Sequence, residues 1–174
     1  MWHNYNESKL LDIPVNIRQE IFGVLSLTKR ISSRGKFRVQ VLSQQNGRQF
    51  ADESLPMSSL GILANVRNVL LYCDDYPVIF ARTVLPVKYI KNNFNQLTSL
   101  GNKSLGAVLH FSKQIKIEST EIGNLITNDN LSAELIKYNL VPEDLWARRT
   151  IYKNQSLKIM VNEVFLSQYW QVVA

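Results

Sequence analysis

The pairing of strand-like segments across short polar turns constrains this fold more than any other feature of the sequence. Val66–Cys73 and Val78–Leu85 are rich in β-branched and apolar residues and flank the turn-forming sequence DDYP. Trp146–Tyr152 and Leu157–Leu166 flank the polar sequence KNQS in the same way. Strands joined by so few residues pair in the antiparallel sense, because parallel pairing needs a long crossover connection. The sequence therefore predicts two antiparallel hairpins.

Helices are predicted between these strands. Apolar residues recur at helical spacing from Pro14 onward, and Asp12 is placed to cap that helix. Lys36–Ser43 alternates between apolar and polar residues like a strand, and Asn46-Gly47 follows it as a turn. Further helices are predicted at Asn92–Leu100 and Asn130–Tyr138, a short turn capped by Ser104 at Leu105–Leu109, and a strand at Gln114–Ile122. This order predicts a single α+β domain over residues 1–174, with helices inserted around an antiparallel sheet.

The composition supports one globular core. The chain has 174 residues, of which 45% are hydrophobic and 20% charged, so intrinsic disorder and low complexity are excluded. Its formal net charge of +6 favours an anionic partner. The basic residues are scattered along the chain without interleaved aromatic residues, which argues against a nucleic-acid-binding protein.

The sequence offers little for a metal or a nucleotide cofactor. Cys73 is the only cysteine and His3 and His110 are the only histidines, so no internal disulfide or Cys/His zinc site can form. The phosphate-binding patterns GxGxxG and GxxxxGK are absent. The N-terminal segment lacks the pattern of an export signal, and no apolar run is long enough to span a bilayer. A soluble, cytoplasmic, reduced and metal-free protein is therefore expected.

Arg67 and Arg82 lie on the two strands of the first predicted hairpin. With an even number of loop residues, both side chains would project from the same sheet face, where like charges destabilise a pair. An anion held between the two guanidinium groups would explain such an arrangement. With an odd number, one arginine would instead point to solvent or to a carboxylate. The spacing alone leaves both alternatives open.

Glu163 lies among the apolar residues that alternate onto one face of the last strand. An unpaired buried carboxyl group becomes protonated and can act as a hydrogen-bond donor or an acid, whereas a carboxylate paired with an arginine stays ionised. Arg148 falls on the same face of the preceding strand and is placed to form a structural ion pair with Glu163. Both readings remain open at this point.

Four strings resemble, in content and in order, those of the chorismate pyruvate-lyase family, the 4-hydroxybenzoate synthases of quinone biosynthesis. They are SLTKRI, VRNVLLYCDDYPVIFARTVLP, LGNKSLGAVL and LWARRTIYKNQSLKIMVNEVFL. The similarity extends from about Ile21 to Leu166 and is weak over Gln44–Leu63 and in Thr127–Val141, which resembles an insertion. Four motifs in the family's order are a more specific signal than any one of them.

The resemblance implies that an antiparallel sheet and helices enclose a ligand cavity, in a carbon–oxygen lyase that needs no cofactor. The implied reaction converts chorismate, a dianion, to 4-hydroxybenzoate and pyruvate, as an early step of ubiquinone or plastoquinone biosynthesis. The resemblance assigns the ring carboxylate to Arg67, the ring hydroxyl to Glu163 and the pyruvyl carboxylate to Arg82, all three as catalytic residues. It assigns Leu27 and Leu105 to ligand binding, Leu105 through its backbone.

The alternative function is that of a ligand sensor. Effector-binding domains of transcription regulators share the fold, by the same resemblance, and bind small molecules without turning them over. Such regulators normally carry a DNA-binding helix-turn-helix ahead of this domain, whereas one convincing helix precedes the first predicted strand here. Both arginines and Glu163 are retained, which favours the enzyme. A monomer that binds small molecules, and neither nucleic acid nor the membrane interior, is therefore expected.

Overall fold

A computed structural model describes residues 2–4, 13–23, 26–90, 98–111, 115–125, 130–141, 144–154 and 157–174. The strands of this part are β1 (Trp2–Asn4), β2 (Phe37–Gly47), β3 (Ala64–Cys73), β4 (Tyr76–Pro86), β5 (Lys116–Asn124), β6 (Trp146–Lys153) and β7 (Lys158–Phe165). They form one sheet in the order β1-β5-β6-β7-β4-β3-β2, and every neighbouring pair is antiparallel. The predicted α+β fold with an antiparallel sheet is confirmed, including both hairpins.

The helices of the same part are short. They are α1 (Val15–Gly23), α2 (Leu27–Ser32), α3 (Ala51–Ser54), α4 (Val87–Ile90), α5 (Leu105–Phe111), α6 (Asn130–Ile136) and α7 (Ser167–Val172). The helices predicted after Pro14 and within Asn130–Tyr138 are confirmed, and the short turn predicted at Leu105–Leu109 is part of α5. The predicted Asp12 cap and most of the Asn92–Leu100 helix lie outside the described residues.

Helices cover both faces of the sheet. On one face, called the cavity face below, Ile21 of α1, Ile31 of α2 and Tyr169 of α7 pack on β3 and β4 in one buried cluster. On the opposite face, Leu131 and Leu135 of α6 pack against apolar side chains of β3, β4 and β7. Each large apolar side chain buried in this way contributes about 1.5–3 kcal/mol of transfer free energy. The sheet is therefore the middle layer of the fold, and its two faces carry different polar residues.

A bulge in the first hairpin decides which face each arginine occupies. The turn contains two residues, because Cys73 pairs with Tyr76, but the register shifts by one between Leu71 and Tyr72. The shift falls beside Pro77, which has no N–H to donate to the ladder and is therefore found at bulges and edges. A one-residue shift moves every later side chain to the other face.

Of the two alternatives that the spacing left open, the structure realises the one in which an arginine points to a carboxylate, although the loop is even. Beyond the bulge, Arg67 pairs with Thr83, and Arg82 pairs with Asn68. The loop has an even number of residues, which by itself would put both arginines on one face, but the extra residue in β4 puts them on different faces. Arg67 stays on the cavity face and Arg82 projects from the opposite face.

Candidate active site

A cavity lies between the cavity face of the sheet and the N-terminal ends of α2 and α5. Its empty volume, including the open space at the mouth, is about 580 Å³. Apolar and polar side chains both contribute to the wall. The lining residues that carry polar side chains are Ser26, Thr28, Arg67, Thr83, Ser104, Arg148, Tyr152 and Glu163.

Arg67 supplies a buried positive charge at one side of this cavity. The residue is 3% exposed, and its Nη2 donates hydrogen bonds to the carbonyl oxygens of Gly101, at 2.7 Å, and Lys103, at 3.3 Å. Its Nε is buried and has no hydrogen-bond partner, and among the described residues no carboxylate forms an ion pair with it. Burial lowers the pKa of Arg67, although a guanidinium remains charged in proteins. A buried cation without a counter-ion is unfavourable, so this position favours an anionic ligand.

Glu163 and Arg148 form an ion pair on the other side of the cavity. The two residues are cross-strand partners on β7 and β6, and Nε of Arg148 donates to Oε2 of Glu163 at 2.7 Å. Nη1 of Arg148 also donates to the carbonyl oxygen of Ile21, at 2.9 Å. Burial lowers the pKa of Arg148, but the charge of Glu163, its hydrogen bond to Arg148 and the nearby tyrosines together raise it above the ordinary value. The structure thus realises the ion-pair alternative of the sequence analysis.

Tyr152 is a cavity residue that the sequence analysis did not single out. It lies four residues after Arg148 on β6, so both side chains project from the cavity face. Burial, with the charge of Glu163, raises the pKa of Tyr152 to about 12. Among the described residues its hydroxyl has no hydrogen-bond partner. The even spacing from Arg148 was the available signal, because it places a phenol on the same face as the ion pair.

Leu27 and Leu105 are the first residues of α2 and α5, and both line the cavity. Their side chains are almost fully buried. Beside them the hydroxyl oxygens of Thr28 and Ser104 are 2.7 Å apart and share a hydrogen bond. This bond joins the two helix starts at the cavity. The ligand contacts expected of Leu27 and Leu105 remain predictions.

Arg82 lies outside the cavity. Its Nε and Nη2 donate to the two carboxylate oxygens of Glu53, at 2.8 and 3.0 Å, and both residues are buried. Nδ2 of Asn162 donates to the same carboxylate at 3.0 Å. Since Glu53 belongs to α3, the pair fastens that helix to the opposite face of the sheet. Arg82 does not line the cavity described above, and the role expected for it at a substrate carboxylate remains a prediction.

The Arg82 pair belongs to a polar row that crosses the opposite face. The cross-strand partners in this row are Asn68, Arg82, Asn162, Arg149 and Glu121, one from each of five neighbouring strands. Nε of Arg149 donates to Oδ1 of Asn162 at 2.9 Å, and its guanidinium also binds the Asp52 carboxylate. Sequence reasoning missed this row, because it depends on the register of four strand pairs.

Two further findings concern the described part of the chain. It contains no group of three or more His, Cys, Asp and Glu side chains arranged to hold a metal ion. It also contains no helix of the length and apolar character needed to cross a bilayer.

A family model described as chorismate lyase matches residues 2–174. The chain belongs to the chorismate lyase family. A protein of Nitrosospira multiformis named probable chorismate pyruvate-lyase is 36% identical over 146 residues, which cover 81% of each chain. One of the same name from Pseudoalteromonas translucida is 32% identical over 147 residues, covering 84% of this chain and 81% of the relative. Membership of the chorismate lyase family identifies the protein as a lyase.

Solved structures with the same fold include domains of transcription regulators. A GntR-family regulator from Bacillus cereus has a TM-score of 0.54 at 13% identity and covers 77% of this chain and 94% of its own. The effector domain of PhnF from Mycobacterium smegmatis has a TM-score of 0.51 at 12% identity, with coverages of 82% and 89%. At such low identity the similarity shows the fold alone. The chorismate lyase family and this regulator domain therefore share the architecture predicted from the sequence.

Proposed function

We propose that the protein is a chorismate pyruvate-lyase that converts chorismate to 4-hydroxybenzoate and pyruvate. One observation carries the proposal. The cavity holds a buried Arg67 with no ion-pair partner among the described residues, and the Arg148–Glu163 pair stands across from it. A ligand with a carboxylate at one end and a hydroxyl at the other fits this arrangement. 4-Hydroxybenzoate and the ring of chorismate both have that form.

The chemistry requires positioning more than a strong acid or nucleophile. The bond between the ring and the ether oxygen breaks, and its electron pair leaves with the enolpyruvyl group. A ring C–H bond supplies the electron pair that completes the aromatic ring, and the released proton ends on the enolpyruvyl methylene carbon to give pyruvate. Atoms and electrons balance without an oxidant or a second substrate. Aromatisation provides the driving force, so fixing the substrate and matching its charge are the main tasks of the protein.

Each charged cavity residue has a part in this proposal. Arg67 binds the ring carboxylate through its guanidinium, whose Nε has no partner among the described residues, since a planar guanidinium matches a carboxylate. Glu163 receives the ring hydroxyl and stabilises it while charge shifts toward the ether oxygen. Arg148 holds the Glu163 carboxylate in place through its Nε. Leu27 and Leu105 close the apolar wall against the ring.

We also propose that the product enters quinone biosynthesis in the cytoplasm, toward ubiquinone or plastoquinone. The family resemblance supports this placement, and the single domain and the monomeric state expected from the sequence are compatible with it. The reaction leaves an aromatic acid with a free carboxylate and a free hydroxyl. A ring-modifying reaction would be the next step on such a product.

The test is an assay of the purified protein with chorismate in the presence of a chelator. 4-Hydroxybenzoate is followed by its absorbance and pyruvate by a coupled dehydrogenase reaction. Equal amounts of both are expected at wild-type rates, and loss of both is expected in Arg67→Gln. Tight binding of 4-hydroxybenzoate without turnover would favour the ligand sensor instead. The absence of both turnover and binding would refute both functions.

A further inference from the structure

Chorismate has two carboxylates, and the cavity provides one arginine, Arg67, that has no ion-pair partner among the described residues. Arg82, expected for the second carboxylate, binds Glu53 on the opposite face. Arg148 directs Nε to Glu163 and Nη1 to a backbone carbonyl. The enolpyruvyl carboxylate therefore needs a further donor in the cavity wall. Tyr152 lines the cavity, and its hydroxyl has no hydrogen-bond partner among the described residues.

We propose that Tyr152 determines specificity for the enolpyruvyl group, by donating a hydrogen bond from its hydroxyl to the enolpyruvyl carboxylate. The inference rests on the proposed lyase function, because it assigns a part of the same substrate. It makes Tyr152 a residue that distinguishes chorismate from the product, which has no enolpyruvyl group.

The strand order places Tyr152 at the end of the cavity away from Arg67. Arg67 lies on β3 and Tyr152 on β6, with β4 and β7 between them. Three strand spacings of about 4.8 Å separate their backbones by roughly 14 Å. A six-membered ring with one substituent at each end fits between side chains that point into such a space. Arg67 therefore contacts one end of the ring, and the β6 wall contacts the other.

The positions of the three ring substituents of chorismate agree with the placement of Arg67 at one end of the ring and the β6 wall at the other. Its ring carboxylate is opposite the ring hydroxyl, and the enolpyruvyl ether is on the carbon next to that hydroxyl. With the carboxylate at Arg67, both remaining substituents point toward β6 and β7. Glu163 occupies the place of the hydroxyl. Tyr152 pairs with Ile159, four residues before Glu163 on β7, but it lines the same cavity, and the charge of Glu163 acts on its hydroxyl.

The state of the phenol suits a donor and does not suit proton transfer. Burial first, and then the charge of Glu163, raise the pKa of Tyr152 to about 12, so its hydroxyl keeps its proton at neutral pH. A group with that pKa is a poor general acid, because efficient acids have a pKa near the working pH. Tyr152 is therefore expected to affect substrate binding more than the rate of the chemical step.

The test is Tyr152→Phe, which removes the hydroxyl and keeps the ring that packs against the apolar wall. The KM for chorismate is expected to rise roughly tenfold to a hundredfold, as for loss of a hydrogen bond to a charged group. The Kd of 4-hydroxybenzoate is expected to stay within about twofold. The control is Tyr72→Phe, since the Tyr72 hydroxyl donates to Gln40 at the exposed surface of β3. This variant should change neither constant.

A second measurement does not depend on turnover. An inert aromatic analogue that keeps both carboxylates, such as 3-(1-carboxyvinyloxy)benzoate, is titrated into wild type, Tyr152→Phe and Tyr72→Phe. Weaker binding of this analogue by Tyr152→Phe alone, with unchanged 4-hydroxybenzoate affinity, would support the inference. Equal analogue affinities, or equal losses for analogue and product, would overturn it. A wild-type protein that never turns over chorismate would instead refute the proposed function.

Discussion

Arg67 and Arg82 lie on adjacent strands but project from opposite faces of the sheet, and their surroundings differ completely. Arg82 is neutralised by the Glu53 carboxylate, whereas the guanidinium of Arg67 binds two backbone carbonyls and has no described counter-ion. Arg82 therefore stabilises the fold, and Arg67 is available for an anion. This contrast yields two opposite expectations for the same kind of substitution.

Arg67→Met is expected to abolish ligand binding with little effect on stability. The substitution removes the cation that would bind the ring carboxylate, so kcat/KM should fall on the order of a hundredfold or more. It leaves no carboxylate unpaired, so the free energy of unfolding should change by no more than about 1 kcal/mol. Binding of 4-hydroxybenzoate by calorimetry and denaturant unfolding check the two parts. A variant with near-normal activity would refute the role of Arg67.

Arg82→Met is expected to lower the stability of the protein with little effect on substrate binding. Glu53 would remain buried without its partner, and breaking a buried ion pair from one side costs about 3–5 kcal/mol. The fraction that stays folded at low temperature should retain its KM for chorismate within about threefold, since Arg82 is outside the cavity. Denaturant unfolding and steady-state kinetics give both quantities.

The double variant Arg82→Met/Glu53→Leu serves as the matched control. Replacing both members removes the unpaired charge, so much of the lost stability should return. A large increase in KM in a stably folded double variant would contradict the position of Arg82 outside the active site.

Periodicity predicted the sheet well because alternation along a strand is a local property. The strands of both hairpins were found near their predicted bounds, and Glu163 was predicted on the apolar face that it occupies. The face of Arg82 was not predictable from spacing, because the single bulge beside Pro77 reverses it. Arg67 and Glu163 were singled out by residue type and by family resemblance. Tyr152 was missed because its hydroxyl matters only once β3 and β6 are placed across one cavity.

Glu163→Gln tests the charge at the hydroxyl end of the cavity. The amide keeps the shape of the side chain but removes its negative charge and its acidity, so kcat should fall roughly tenfold to a hundredfold. Arg148 would lose its ionic partner, and the free energy of unfolding should fall by about 1–3 kcal/mol. Kinetics over the neutral pH range and denaturant unfolding measure both effects. Normal turnover at every pH would restrict Glu163 to a neutral hydrogen bond.

A control for this variant is Glu118→Gln. Glu118 pairs with Lys153 and Lys158 at a more exposed position and does not line the cavity. Exposed pairs contribute about 0–1 kcal/mol, so neither kcat nor stability should change much. A comparable loss of kcat in both variants would indicate a general effect of removing acidic charge.

Buried tyrosines are expected to make the protein less stable at high pH. Burial raises the pKa of Tyr152 to about 12, and burial with a hydrogen bond to Glu20 raises that of Tyr169. Both folded-state values lie above that of an unfolded tyrosine, near 10, so the unfolded state loses its protons first. The free energy of unfolding is therefore at its full value below about pH 10 and falls as the pH rises toward 12. For Tyr152 the decline amounts to about 2 kcal/mol.

Denaturant unfolding at pH 8 and at pH 11 measures this decline. Tyr152→Phe should flatten the dependence, because the phenylalanine ring has no proton to lose. Tyr76→Phe is the matched control, since Tyr76 is 54% exposed in the turn region of the first hairpin and its substitution should leave the slope as in wild type. Equal slopes for the two variants would show that the Tyr152 hydroxyl is solvated in the folded protein. That result would also weaken its assignment as a buried donor in the cavity.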